Sequence, residues 1–98
     1  MTTATLEKKA TRVVATRAVA LTAQSNPNFN AELQASLRKF TANDWGICSE
    51  NDKAQNDLDP ASAMGNYPID HGSETKLWIK RDDYGDYFVI TALYPSDY

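Results

Sequence analysis

Cys48 and His71 are the only thiol and the only imidazole in the chain, and Asp70 precedes the histidine. A thiolate nucleophile needs a base in contact with it and an environment that favours the anion. No local signature of a cysteine hydrolase flanks either residue, so the expectation is a loop histidine and a half-buried structural thiol. One cysteine and one histidine cannot supply the four ligands of a structural zinc site. The acid run ENDKAQNDLDP at 50–60 could suggest calcium, yet counting from Asp52 or Asp57 finds neither the glycine nor the closing glutamate of a calcium loop. Gly46, Gly65, Gly72 and Gly85 stand singly, which leaves no phosphate loop and no dinucleotide fingerprint. Asp82, Asp83 and Asp86 could pair for acid–base work, but acids at such a spacing more often build a turn. The expectation is therefore a protein without catalytic residues, metal or cofactor.

What remains is surface chemistry, and it is unevenly spread. Residues 1–43 carry six basic side chains against two acids, whereas residues 44–98 carry four against eleven. With a pI near 4.9 and no basic stripe, direct binding to nucleic acid is disfavoured. A negative field instead attracts proteins that themselves hold nucleic acid. The candidate contact residues are Asp52, Asp57 and Asp59, then Asp70 and Glu74, then Asp82, Asp83 and Asp86, and finally Asp97. Tyr84 and Tyr87 stand among them as rigid aromatic contacts.

These residues must be positioned by a small fold. Ninety-eight residues make a single domain, 1–98, able to bury a thin core. A lone cysteine, no apolar leader and no apolar run of spanning length point to a soluble, cytoplasmic monomer. TLEKKATRVVATRAVALTAQ at 5–24 places Leu6, Ala10, Val13, Val14, Ala18 and Leu21 near a helical period, but Arg17 falls on the stripe and RVVAT is rich enough in β-branching for a short strand before a helix. Both options stay open. SNPNFNAELQASLRKF is the clearest helix: Ser25 or Asn26 as cap, Pro27 at the first position, and Phe29, Leu33, Leu37 and Phe40 on one stripe, with Ser36 at its margin. Asn43-Asp44-Trp45-Gly46 reads as a turn. Ser49 and Asp52 are placed to cap a short helix that stops before Pro60, with Asp57 and Asp59 near an end where the helix dipole disfavours acids.

The rest is strand. ASAMGNYPI suggests an irregular edge strand, and TKLWIKR with DYFVITAL forms a hairpin across Asp82-Asp83-Tyr84-Gly85. Alternation puts Leu77 and Ile79 opposite Trp78 and Lys80, and both sides of the second strand are apolar, as a central strand requires. The predicted class is α+β: a three-stranded antiparallel sheet with N-terminal helices packed on one face.

One resemblance bears on the partner. Lys39-Phe40, Asp44-Trp45-Gly46, Glu50 and Asp52-Lys53, Asn56-Asp57 and the ending Tyr94-Pro95 to Tyr98 together resemble a family of small bacterial proteins carried on plasmids and phages. The chain departs from that pattern by Asn51, which splits the acidic motif, and by the run Asp82 to Asp86. It also looks similar to anti-CRISPR proteins, those against type I-C systems in particular. That resemblance implies an inhibitor that offers a DNA-like acidic surface to a host CRISPR-Cas effector complex. The other reading it leaves is an accessory protein of a mobile element whose partner is held through the D-W-G region, with Trp45 as anchor.

Overall fold

The structure, a computed structural model, describes residues 8–98. Its elements run β1 (Ala10–Ala15), α1 (Arg17–Ser25), α2 (Pro27–Thr41), α3 (Glu50–Leu58), β2 (Met64–Pro68), β3 (Lys76–Asp83) and β4 (Tyr87–Leu93), with short 3-10 turns at Pro60–Ser62 and Pro95–Asp97. The α+β class holds, but the sheet has four strands in the order β1-β4-β3-β2 and is mixed, not three-stranded and antiparallel. The strand beyond expectation is β1. It lies parallel to β4 from Ala10 opposite Tyr87 to Ala15 opposite Ala92, so residues 10–15 are strand and the helix begins only after them. Leu6, included in the helical stripe considered above, lies outside the described residues.

The switch at Thr16 has a local cause. Its N–H still bonds the Ala92 carbonyl (3.0 Å) as a strand residue would, while its hydroxyl accepts from the Val19 N–H (3.5 Å) and caps α1. In α2 the cap is Asn26, whose Oδ1 accepts from the N–H groups of Asn28 and Phe29 at 3.0 and 3.1 Å, and Pro27 follows at the first position. Ser36 is not marginal: it is buried, and its hydroxyl donates to the Glu32 carbonyl at 2.9 Å, so the stripe tolerates it by satisfying it internally.

The hairpin pairs Trp78 with Leu93 through Asp83 with Phe88, and β2 adds on the other side from Met64–Lys80 to Pro68–Lys76. Central placement of β4 follows from its apolar faces, and it is flanked by β1 and β3. On one face of the sheet Leu77, Ile79, Ile90 and Ala92 meet Val19, Phe29, Leu33 and Phe40 from α1 and α2 in one apolar cluster. The opposite face, with Trp78, Lys80, Asp82, Val89 and Thr91, is half-exposed. Arg81 shares the parity of Leu77 and Ile79, so it turns into the core and is 6% exposed. Its Nη1 donates to the Pro60 carbonyl (2.7 Å) and its guanidinium lies over Phe40 (5.0 Å). Burial pulls its pKa down.

Candidate functional site

Strand direction sorts the acids. β3 runs from Lys76 to Asp83, about 25 Å at the usual rise per residue. At the Asp83 end, the turn pole, stand Asp82, Asp83, Tyr84, Asp86 and Tyr87, and the Pro60–Ser62 turn brings Asp59 toward the same end through the Arg81–Pro60 bond. At the Lys76 end, the far pole, the 69–75 loop and the Pro95–Asp97 turn gather Asp70, Glu74 and Asp97. Asp52 belongs to neither; it sits exposed in the first turn of α3. The acids proposed for one binding surface therefore occupy two ends of the molecule.

Most of them also have internal work. Glu74 accepts from the Ser96 hydroxyl and backbone N–H. Asp97 accepts from the Thr16 hydroxyl (2.7 Å) and from the Tyr94 N–H (3.0 Å), tying β1 to the end of β4. Beside them Glu32, on α2, accepts from the N–H groups of Asp70 (2.6 Å) and His71 (2.8 Å) and faces the imidazole at 3.2 Å. Burial would raise the pKa of Glu32, but those donors win and hold it below its ordinary value. At the turn pole Asp82 pairs with Lys80 (3.2 Å), and Asp83 pairs with Lys9 (2.6 Å) while accepting from the Gly85 N–H (2.9 Å). The Lys9 ammonium is what keeps the Asp83 carboxyl below the usual range. The side chains of Asp52, Asp59, Asp70 and Asp86 make no hydrogen bond or ion pair among the described residues.

The turn itself is built for exposure. Gly85 takes φ 89, and the Tyr84 N–H bonds the Tyr87 carbonyl at 2.9 Å. Tyr84 and Tyr87 consequently stack, with centroids 5.5 Å apart at 15°, and Tyr84 is 60% exposed. Lys9, just before β1, and Arg12, within it, flank the turn although no sequence pattern linked them to it; Arg12 lies 5.3 Å from the Tyr87 ring.

The D-W-G segment has a different character. Gly46 takes φ 76, and a Cβ there would collide with the Asn66 carbonyl, because the 45–47 backbone pairs with β2 at Asn66. Trp45 is 3% exposed, edge-on to Phe40 at 5.3 Å, and its indole N–H donates to Asp57 at 2.9 Å. That bond explains an acid near the unfavourable end of α3. Trp45 is a core side chain with its polar atom satisfied, not an exposed anchor.

Cys48 and His71 do not form a pair. The Cys48 thiol donates to the Trp45 carbonyl (3.2 Å) and lies 3.5 Å from that of Met64, and burial pushes its pKa up, away from a reactive thiolate. His71 is exposed and faces Glu32. Among the described residues no cluster of histidine, cysteine and carboxylates could hold a metal ion, and no helix is long and apolar enough to cross a membrane.

Where α3 and the 47–49 bend meet the half-exposed sheet face, a cavity of about 390 Å³ opens against Cys48, Asp52, Gln55, Asn66 and Trp78. Nothing in the sequence marked it, since its walls come from three separate segments. Comparisons with protein-family models, with curated proteins and with solved structures return no match.

Proposed function

We propose that the protein is a non-catalytic binding domain that seats its turn pole in a basic groove of a nucleic-acid-handling protein. In the reading that the resemblance supplies, the partner is a host CRISPR-Cas effector complex, type I-C among them, and the contact blocks its access to target DNA. The observation that carries the reading is the stacked Tyr84–Tyr87 pair beside Asp86, with Asp59 toward the same end of the sheet, two carboxylates without a partner among the described residues. Free carboxylates can accept bidentate bonds from groove arginines. Tyrosines already stacked lose little freedom on binding. The surface is narrower than a whole acidic half: Asp57, Glu74 and Asp97 hold the fold together and drop out of it. An accessory role resting on Trp45 has less support, because its ring and N–H are spent on Phe40 and Asp57.

The test is a plaque assay in cells whose type I-C system targets the infecting phage. Expression of the protein should restore plaques, and Asp59→Lys with Asp86→Lys and Tyr84→Ala should abolish the restoration. Asp70→Lys at the far pole should leave it intact. A folded triple variant that still protects the phage would remove the turn pole from the contact.

A further inference from the structure

Among the described residues, two that line the α3 cavity hold a buried polar atom without a partner, the Oδ1 of Asn66 and the Nε1 of Trp78; solvent reaches neither atom, so each side chain must turn toward the cavity before a ligand can pair with it. They belong to residues directly opposite each other across β2 and β3, on the half-exposed face of the sheet. One is an acceptor and the other a donor, and a buried group left unpaired forfeits the hydrogen bond that water would have given it. Elsewhere in the same wall no buried side-chain nitrogen or oxygen of the described residues lacks a partner. Asn56 spends both ends of its amide on the Met64 backbone (2.8 and 3.1 Å), and the Ser49 hydroxyl accepts from the Asp52 N–H (3.1 Å). The unmet demand is thus local to one cross-strand pair.

The charges around the cavity narrow what could meet it. Among the described residues no lysine or arginine lines the cavity, and the one carboxyl group there is that of Asp52, which disfavours an anion. The thiol of Cys48 stays neutral, because burial raises its pKa. A volume of about 390 Å³ lies at the lower end of the range for small-molecule sites. The indole of Trp78 supplies an aromatic surface, and its outer neighbour is the ring of Tyr98, 5.6 Å away and itself 78% exposed, which leaves the indole room to turn toward the cavity.

We infer that this cavity binds a neutral, planar molecule carrying an N–H and a C=O on one edge, such as a carboxamide or a nucleobase, its N–H donated to Asn66 Oδ1 and its C=O accepting from Trp78 Nε1. The site is separate from the turn pole and does not depend on the function proposed for it.

The experiment follows the two indole N–H resonances of the ¹⁵N-labelled protein, assigned with a Trp78→Phe variant. Uracil and nicotinamide are the probes, because both present the donor–acceptor edge. 1,3-Dimethyluracil keeps the plane and the carbonyls but has no N–H, and benzoate is a planar anion of similar size. Uracil or nicotinamide should shift the Trp78 resonance saturably with a Kd no weaker than about 10 mM, while the buried Trp45 resonance stays in place. Dimethyluracil should bind about tenfold more weakly, the loss of one paired edge, and benzoate should not bind. Asn66→Ala should weaken uracil by a similar factor. An unmoved Trp78 resonance with both neutral probes would overturn the site. Equal affinity for uracil and dimethyluracil would overturn the assigned chemistry, and that comparison needs no variant to fold.

Discussion

The two ends of the sheet use the same residue type for opposite purposes. At the far pole Glu32 and Glu74 each accept two hydrogen bonds from a different segment, and Asp97 accepts one from Thr16 and one within its own turn, so they act as clasps that hold the 69–75 loop and the last turn to α2 and to the end of β1. Among the described residues, Asp82 and Asp83 at the turn pole meet only lysines and the turn's own backbone, while the side chains of Asp59 and Asp86 make no hydrogen bond or ion pair. A carboxylate's contribution is thus decided by which donors the fold brings to it. Backbone N–H groups that would otherwise be unpaired make it structural, whereas solvent leaves it available to a partner.

The contrast predicts a graded series of variants. Glu32→Ala should have the largest effect, about 2 kcal/mol of stability in urea denaturation, because it strands two backbone donors. If it is silent, the far pole is no clasp. The same contact sets a pH dependence. The folded pKa of Glu32 lies below its ordinary 4.5, so its contribution is complete at neutral pH and is lost as pH falls through the lowered value. The stability gap between the protein and Glu32→Gln should therefore shrink between about pH 5 and about pH 3. Asp57→Ala should cost about 1–2 kcal/mol by leaving the buried Trp45 N–H unpaired, and a red-shifted or quenched indole emission would accompany any opening. Asp97→Ala should cost about 1 kcal/mol, the usual worth of a cap, in the same denaturation series. Asp59→Lys and Asp86→Lys should change stability by no more than about 0.5 kcal/mol each. A large loss at either would mean that the turn pole, too, is structural.

Local chemistry made much of this legible in advance. The Asn26–Pro27 start of α2, the Ser49 cap of α3, the left-handed Gly46 and the alternation of β3 and β4 each depend on residues within a few positions of one another, and each is in the structure. β1 was left undecided because its evidence is not local: its partner is β4, near the other end of the chain, and RVVA by itself favours strand only weakly. The same limit applied to the acids. Asp57 could be seen to be misplaced against the helix dipole, but only the fold reveals the Trp45 indole that compensates it. Arg81 was within reach, since it continues the Leu77–Ile79 alternation into the core. The Asn66–Trp78 pair was not, because pairing across strands depends on a register that the sequence alone did not specify.

The placement of β4 also governs the order in which the molecule can be made. Of the two interior strands, β4 is the last of the four to be synthesised, and one of its two neighbours is the first. A growing chain therefore carries β1 with its partner strand not yet made, and until residue 93 is free no three adjacent strands exist. At translation rates of about 5–20 residues per second, that interval lasts several seconds. Arg12 within that strand and Arg17 just after it, with no acid among residues 8–31, give copies of the waiting segment like charges that oppose their pairing. Completion of the sheet then waits on the final strand, and a chain cut short before Tyr87 leaves β1 without the strand it pairs with.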